Sequence, residues 1–173
     1  MIRFVTSADT EKLLAMVKAT NMFEADEINE IGDRLSAFLN GEDNSIWLVC
    51  EESGLEGLAY CAPEPMTKGT WNLLMLFVNK SAKGRGHGTD LINAIERQVA
   101  VRDGRLLIVE TSGIDDYAQA QRFYGKCDFK EVARIPDFYD AGDGKIIFSK
   151  HLGEKNTRPR DAGKSTQAAK VEN

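Results

Sequence analysis

Apolar and polar residues follow two different periods along this chain, and the changes between them predict alternating strands and helices. Short apolar runs rich in β-branched and aromatic residues are typical of strands, whereas apolar residues three or four positions apart are typical of helices. The predicted strands are residues 2–6, 46–51, 55–62, 71–78, 105–110, 129–134 and 145–150. The predicted helices contain Leu13–Val17, residues 25–39, Leu91–Val99, and the stretch from Asp115 or Asp116 to Lys126.

This order of elements predicts an α/β fold, a single domain in which a mixed central sheet carries helices on its faces. Residues 71–110 form one β-α-β unit, and the right-handed crossover of such a unit makes its two strands parallel neighbours. The segment Asp140–Gly144 is predicted to be the turn of a hairpin between the last two strands. Ligands bind outside the carboxyl ends of parallel strands, so a site is expected where residues 71–78 and 105–110 end.

A change in composition near residue 153 predicts where the folded domain ends. Residues 1–152 contain all of the predicted strands and helices, so they are expected to form one domain. From Gly153 onward polar and small residues predominate and apolar residues are few, which predicts a disordered tail over residues 153–173.

Composition narrows the classes of function. The 173 residues carry a formal net charge of −5, which disfavours nucleic-acid binding and mildly favours a cationic substrate. Cys50, Cys61 and Cys127 are odd in number and lack CxxC spacing, so buried structural thiols are expected and a metal site is not. No apolar run reaches the roughly 20 residues of a membrane helix and no signal segment is recognisable, so a cytoplasmic protein without membrane contact is expected.

A glycine-rich segment, Lys83–Thr89, lies between the strand 71–78 and the following helix. Such a turn leaves backbone N–H groups unpaired at the positive end of a helix dipole, and its glycines let a ligand approach the backbone closely. The segment suits a phosphate or pyrophosphate, although a glycine cluster before a helix can also be only a turn and a cap. Its spacing matches neither a Walker loop, because Thr89 follows Gly88 directly, nor the dinucleotide fingerprint.

A second motif follows the strand 105–110, and with the glycine segment it carries a family resemblance. The second motif is Ala120-x-x-Phe123-Tyr124-x-Lys126-x-x-Phe129. The first consists of Val78 followed by Lys83-x-x-Gly86-x-Gly88. Both motifs, ordered and spaced around one β-α-β unit, resemble the GCN5-related N-acetyltransferase (GNAT) superfamily, and the resemblance covers roughly residues 2–152.

Three positions depart from the family pattern. Lys83 stands where the family prefers Arg or Gln, which keeps the charge but changes the donor geometry. Tyr117 stands where the family often has Asn. Asp128 replaces the usual glycine before an aromatic residue, and we expect the fold to tolerate it because aspartate adopts a left-handed turn better than most residues.

The resemblance implies a fold like that of the acyl-CoA N-acyltransferases, whose central sheet is partly splayed, and acetyl-CoA as the co-substrate, with no metal. The strands 71–78 and 105–110 would separate, and the pantetheine arm would pair with the backbone of Phe77 and Val78. The pyrophosphate would be held by the backbone of the glycine segment, with Tyr117 as a further cofactor contact. The implied segment contacts are Lys83, Gly84, Arg85, Gly86, His87, Gly88 and Thr89.

The resemblance also implies direct attack of an amine on the thioester, with a backbone N–H near Val78 stabilising the oxyanion. Tyr124 would be the general acid that protonates the departing thiolate, although a tyrosine on a packed helix can also be only a core residue. Glu110, at the end of its strand, is the first candidate for the general base, ahead of Glu24 and Glu27. His87 is expected to face solvent.

The acceptor stays open at the level of sequence. A small molecule or a peptide amine fits the resemblance, and so does a homodimer. Five aromatic residues are expected either to line the acceptor pocket or to belong to the core: Phe23, Tyr60, Trp71, Phe138 and Tyr139. The alternative to an enzyme is a module of the same fold that binds acyl-CoA without catalysis, as a sensor or interaction domain.

Overall fold

The computed structural model describes residues 1–153, and the predicted tail from residue 154 onward lies outside the described residues. The strands are β1 (Ile2–Phe4), β2 (Ile46–Glu51), β3 (Leu55–Pro63), β4 (Thr70–Val78), β5 (Leu106–Ser112), β6 (Lys130–Asp140) and β7 (Asp143–His151). The helices are α1 (Thr10–Ala19), α2 (Ala25–Leu39), α3 (His87–Val101) and α4 (Ala118–Lys126). Each strand and helix predicted from the sequence is therefore present, although several of their ends differ.

The strands form one seven-stranded sheet in the order β1-β2-β3-β4-β5-β7-β6. Neighbouring strands are antiparallel except β4 and β5, which are parallel. This confirms the mixed sheet and the parallel neighbours of the β-α-β unit. Because β7 inserts between β5 and β6, the last hairpin lies beside the carboxyl end of β5 and brings its side chains there.

Helices cover both faces of the sheet, as predicted. Along β2 the side chains of Ile46, Leu48 and Cys50 pack with α3 and α4, whereas Trp47 and Val49 pack with α1 and α2. This alternation is what a strand buried on both faces requires. We call these two sides of the sheet the α3–α4 face and the α1–α2 face.

Two predicted boundaries were wrong. The strand predicted to end at residue 134 continues as β6 to Asp140, with an irregular stretch between Ile135 and Asp140. Pro136 made the sequence look like the end of a strand, because proline cannot donate a hydrogen bond to a strand ladder. The chain instead continues past it, with a positive φ of 51° at Asp137. Helix α3 begins at His87, so the predicted glycine loop already contains the first turn of the helix.

Two smaller predictions are confirmed. Asp128 adopts a left-handed conformation with a φ of 66°, which the fold tolerates as expected. The three cysteines are free and buried, and burial raises the pKa of each thiol above its ordinary value. A buried neutral thiol packs as a small apolar residue, which is the structural role expected from the sequence.

The start of the chain is held by an ion pair that provides a test of stability. Asp9 is buried and accepts hydrogen bonds from both Arg3 Nη atoms, at 2.7 and 2.8 Å, and from the backbone N and the hydroxyl of Thr6, at 2.8 Å each. The Arg3 guanidinium holds the pKa of the Asp9 carboxyl well below its usual range, against the desolvation that burial imposes.

We expect Asp9→Asn to lower the free energy of unfolding at neutral pH by about 2 kcal/mol, since it removes charged hydrogen bonds inside the fold. Because the folded-state pKa is depressed, this stabilisation is present above the unfolded pKa near 4 and is lost as the pH falls below it. Denaturant titrations at several pH values measure the difference. Glu11→Gln, an exposed change at the start of α1, is the control; a wild-type advantage that persisted undiminished at pH 3 would contradict the ion-pair explanation.

Candidate active site

The parallel strands β4 and β5 pair at their beginnings and then separate. Their register is limited to Thr70 with Leu106, Trp71 with Leu107, and Asn72 with Ile108. On its other edge, β4 pairs with β3 through an irregularity that leaves Leu74 without a partner in either register. A bulge of this kind bends a strand and strengthens its twist. The splayed sheet that the resemblance implied is therefore present.

A cavity of about 1000 Å³ occupies the gap between the separated strands. Its walls are the end of β4, from Leu74 to Val78, and the end of β5, from Glu110 to Ser112. The backbone of β4 beyond Asn72 has no strand partner on the β5 side, so its N–H and C=O groups on that edge are available to a ligand. A long, thin ligand that hydrogen-bonds like a strand fits this gap.

Residues from both faces of the sheet line the cavity. On the α3–α4 face it is lined by Tyr117, Ala120 and Tyr124, which belong to α4 and to the turn before it. On the α1–α2 face it is lined by the connection between the two helices, where Phe23 contacts Phe77 edge-on at 6.1 Å between ring centroids. Two ligands that enter from opposite faces can therefore meet between β4 and β5.

The glycine segment follows β4 after a four-residue connection that contains the short 3-10 helix Lys80–Ala82. Gly84 and Gly86 have φ values of 82° and 89°. A Cβ on either residue would meet nothing within 4 Å, so glycine is required by the backbone conformation and not by a lack of space. Gly86 is the residue before α3, and its carbonyl accepts the first helical hydrogen bond from Asp90. Within residues 1–153, no backbone N–H of Lys83–Thr89 donates a hydrogen bond to the protein, so free donors lie both before α3 and in its first turn, at the positive end of the helix dipole.

Gly88 connects the two sequence motifs in space. A Cβ at this position would lie 3.1 Å from Cζ and 3.3 Å from Cε2 of Phe123. These distances are too short for an unstrained contact, so the bare backbone of Gly88 lets the Phe123 ring pack against the start of α3. Phe123 in turn contacts Tyr124 at 5.6 Å between ring centroids. The glycine segment and the tyrosine are thus parts of one packed unit.

The side chains of the segment differ in what they contact. Lys83 lines the cavity, whereas one Nη atom of Arg85 lies 3.4 Å from Glu52 Oε2 across an exposed contact. His87 was expected to face solvent, and this was wrong: only 11% of its side chain is exposed. Its Nε2 is buried 3.4 Å from the same Glu52 oxygen, within ion-pair distance but without hydrogen-bond geometry. The helix start at His87 explains the error, because the side chain of a first-turn residue can fold back against the neighbouring β2–β3 turn.

Tyr124 combines burial with access to the cavity. It is 8% exposed and packs against Phe129 and Phe148, each at 5.8 Å between ring centroids. Burial, with a smaller effect of Cys127, raises the pKa of its phenol well above the usual value near 10. Its hydroxyl makes no hydrogen bond within the described part of the chain. A neutral phenol that lines a cavity is a competent proton donor at neutral pH.

Glu110 lies on the opposite face of the sheet from Tyr124. Leu107 and Val109 point to the α3–α4 face, so strand alternation directs Glu110 to the α1–α2 face. Its Oε2 is paired with Lys145 Nζ at 2.5 Å, and its side chain is 31% exposed. The parallel register, continued by two residues, places Glu110 level with the Leu74 bulge at the narrow end of the gap.

Lys145 is the residue of this region that the sequence did not indicate. It lies on β7, is buried, and its Nζ lies 3.6 Å from the centroid of the Phe138 ring and 5.9 Å from that of Tyr139. A lysine in an alternating strand has no distinguishing local signal. Only the insertion of β7 beside β5 brings it to Glu110, as a diagonal neighbour across the strand pair.

The aromatic residues proposed for an acceptor pocket divide into two groups. Phe23 and Tyr139 line the cavity. Tyr60 and Trp71 belong to the core instead, and Tyr60 stacks on Trp47 at 4.0 Å between ring centroids. Phe138 is half-exposed and covers Lys145. Of the two weaker candidates for the base, Glu27 lines the cavity and Glu24 does not.

One site is thus formed by three features. They are the separated parallel strands, the glycine segment with its free N–H groups at the start of a helix, and the buried tyrosine across the gap. The model of the acetyltransferase (GNAT) domain matches residues 42–131, more than half of the chain, and spans β4, the glycine segment and the motif around Tyr124. The chain belongs to the GNAT acetyltransferase family. The resemblance inferred from the two sequence motifs is thereby confirmed.

Solved structures agree with the fold of this GNAT acetyltransferase. A GNAT-family protein from Desulfovibrio desulfuricans is 29% identical, with a TM-score of 0.78 over 88% of this chain and 99% of that one. An aminoglycoside 6'-N-acetyltransferase complexed with coenzyme A is 18% identical, with a TM-score of 0.75 over 91% and 99% of the two chains. YncA from Salmonella typhimurium, solved with acetyl-CoA, is 17% identical, with a TM-score of 0.71 over 92% and 98%.

Two further kinds of site are absent from residues 1–153 of this GNAT domain. No helix in that range is both long and apolar enough to cross a membrane. The same residues contain no group of three or more His, Cys, Asp or Glu side chains arranged to hold a metal ion.

Proposed function

We propose that this protein transfers the acetyl group of acetyl-CoA to a primary amine by direct attack of the amine on the thioester. The observation that carries the proposal is the cavity between β4 and β5, which is lined by Tyr124, by Glu110 and by Lys83, the first residue of the glycine segment. The cofactor would bind along β4 toward the glycine segment, and the amine would enter on the side of Glu110. Residues 1–152 would provide the whole acetyltransferase domain.

The co-substrate is proposed to lie along β4 and the glycine segment. The free backbone edge at Phe77 and Val78 would pair with the pantetheine amides, which hydrogen-bond like a peptide. The unpaired N–H groups of Lys83–Thr89 would bind the pyrophosphate, assisted by the helix dipole and by the charges of Lys83 and Arg85. Tyr117 lines the cavity on the α3–α4 face and would contact the pantetheine arm.

In the reaction, the amine nitrogen bonds to the thioester carbon, the C–S bond breaks, and CoA leaves as the thiol. Tyr124 would supply the proton for the sulfur, since its neutral hydroxyl lines the cavity and has no hydrogen-bond partner within the described residues. Backbone N–H groups on the free edge of β4, near Val78 or at the Leu74 bulge, would stabilise the oxyanion.

Glu110 is proposed to accept the proton that the amine releases, directly or through a water molecule. Its Oε2 is paired with Lys145, which fixes the carboxylate at the narrow end of the gap and leaves the other oxygen free to accept. Its place on the α1–α2 face also indicates that the amine enters from that side, opposite to Tyr124. The acid and the base thus face the two sides of one thioester.

The test is release of CoA thiol from acetyl-CoA in the presence of a panel of amines, measured with a thiol reagent. We expect release to depend on the amine and to saturate with its concentration. Acetyl-CoA binding measured by calorimetry, together with no thiol release for any amine, would instead favour a module that binds acyl-CoA without catalysis.

A further inference from the structure

His87 carries a buried nitrogen atom that the proposed reaction does not use. Its Nε2 is the only buried side-chain nitrogen or oxygen without a hydrogen-bond partner among residues 1–153. Buried polar atoms are nearly always hydrogen-bonded, so such an exception requires a physical reason. His87 is also the first residue of α3. The unpartnered nitrogen therefore belongs to the segment Lys83–Thr89, which is proposed to bind the cofactor.

A single carboxylate oxygen lies beside this nitrogen. Glu52 Oε2, between β2 and β3, is 3.4 Å from His87 Nε2 and 3.4 Å from one Nη atom of Arg85. The side chains of Arg85 and Glu52 are 54% and 56% exposed, whereas that of His87 is 11% exposed. The contact with Arg85 is therefore a loose surface ion pair, and the contact with His87 is the enclosed one.

The protonation state of His87 decides whether its contact with Glu52 is favourable. A neutral ring with its proton on Nδ1 turns the Nε2 lone pair toward a carboxylate oxygen, and two acceptors repel each other. A neutral ring with its proton on Nε2 donates only weakly at 3.4 Å. An imidazolium donates from both nitrogens and carries the charge that a carboxylate attracts. Arg85 already brings a positive charge to the same oxygen, which weakens the attraction for a second cation.

The other charged groups around His87 divide by sign. Asp90, in the first turn of α3, and Glu56, at the start of β3, add to the field that favours a proton on the ring. Lys83 and Arg85, within the segment itself, oppose it. The positive end of the α3 dipole opposes it as well. A ligand with several negative charges, bound to the segment, would shift this balance toward the protonated ring.

We propose that binding of acetyl-CoA draws a proton from solvent onto His87, which becomes the counter-ion of Glu52 while Arg85 turns to the pyrophosphate. The loose contact between Arg85 and Glu52 contributes little and is readily exchanged for a contact with a more highly charged anion. Among the described residues, His87 is then the remaining group within 4 Å of the Glu52 carboxylate that can carry a positive charge. This coupling rests on the proposed binding of acetyl-CoA to the segment.

Calorimetry of acetyl-CoA binding at pH 7, in two buffers of different ionisation enthalpy, measures the number of protons taken up. Histidine is the side chain whose charge ordinarily changes between pH 5 and 8, and we expect the wild-type protein to take up about half a proton more than His87→Gln. Ionisable groups of the ligand contribute equally to both proteins, so the difference belongs to the residue. Equal uptake by the two proteins would overturn the inference.

The second histidine of the chain provides the matched control. His151 is exposed at the end of β7, so His151→Gln should take up as many protons as the wild-type protein. A loss of uptake in His151→Gln equal to that in His87→Gln would show that the effect does not come from the segment, and would also overturn the inference.

Replacing Glu52 tests whether it is the partner of the charged ring. Glu52→Gln changes an exposed side chain, so the protein should fold, and the additional proton uptake is expected to fall by about half or more. Glu56→Gln removes the same charge from the start of β3, where it makes no ion pair with His87 or Arg85. An equal reduction in Glu56→Gln would assign the effect to net charge and overturn the inference, as would undiminished uptake in Glu52→Gln.

The coupling also gives a sign to the pH dependence of binding. Because the complex holds more protons than the free protein, the affinity for acetyl-CoA relative to that of His87→Gln should rise roughly fivefold as the pH falls from 8 to 6. A constant ratio of the two affinities would contradict the coupling.

Binding and turnover together separate this inference from the proposed function. Proton-coupled binding of acetyl-CoA without thiol release from any amine would support the coupling and contradict acetyl transfer. Thiol release, with the same proton uptake in wild-type and His87→Gln, would support acetyl transfer and contradict the coupling. Failure of the protein to bind acetyl-CoA would contradict both.

Discussion

Replacing Tyr124 with phenylalanine is expected to reduce turnover at least tenfold and to leave acetyl-CoA affinity nearly unchanged. General acid catalysis typically contributes about two orders of magnitude or more, and the variant removes only the hydroxyl that would provide it. The ring keeps its contacts with Phe129 and Phe148, so the packing of α4 is preserved. Steady-state kinetics with the best amine of the panel, and calorimetry with acetyl-CoA, measure the two quantities.

The matched control for this change is Tyr60→Phe. Tyr60 is also buried but stacks on Trp47 and does not line the cavity. The Tyr60→Phe variant also loses a buried hydroxyl, so it shows how much such a loss affects stability. We expect its folded protein to retain turnover. Because the folded-state pKa of Tyr124 is raised, its deprotonation should not reduce activity below about pH 10. Unaltered turnover in Tyr124→Phe would remove this residue from the mechanism.

Replacing Gly86 with alanine is expected to raise the KM for acetyl-CoA about tenfold with a smaller effect on kcat. An alanine at a φ of 89° is strained, which costs on the order of 1 kcal/mol or more and favours a shifted backbone. The N–H groups proposed to bind the pyrophosphate would then lose their common direction. Tyr124 and Glu110 lie outside the segment, so the chemical step itself should be less affected.

Gly41→Ala separates the loss of binding from the loss of stability. Gly41 has a φ of 72° at the end of α2, and an added Cβ there meets nothing within 4 Å, as at Gly86. Both variants therefore carry backbone strain without a steric clash. Thermal unfolding should show comparable destabilisation, whereas only Gly86→Ala should raise the KM. A similar KM in the two variants would argue against the glycine segment as the phosphate site.

The elements and the main motifs could be predicted from the sequence because their signals are local. Periodicity identified the strands and helices, since side chains at fixed spacing must share a buried face. The glycine segment was recognisable because positive φ at Gly84 and Gly86 is strongly selective for glycine. Asp128 was recognised as a tolerated replacement for the same reason, and its φ of 66° confirms it.

Side-chain environments were harder to predict, because they depend on neighbours that are distant in the chain. His87 was assigned to solvent from its place in the glycine loop, whereas only 11% of its side chain is exposed and its ring lies beside Glu52, 35 positions earlier. For Tyr60 and Trp71 the sequence left open whether they line a pocket or belong to the core, and both belong to the core. An aromatic residue in a strand has the same local pattern in either setting, so only packing decides between them.

The sequence by itself determined the α/β order of elements, the glycine-rich segment Lys83–Thr89 before a helix, and the family to which the chain belongs. These follow from short-range periodicity and from backbone conformations that few residues adopt. The tertiary structure decided where β4 and β5 separate, that β7 lies between β5 and β6, and hence that Lys145 neutralises Glu110. Such contacts join residues far apart in sequence, and their free energy depends on distance and burial that no local pattern encodes.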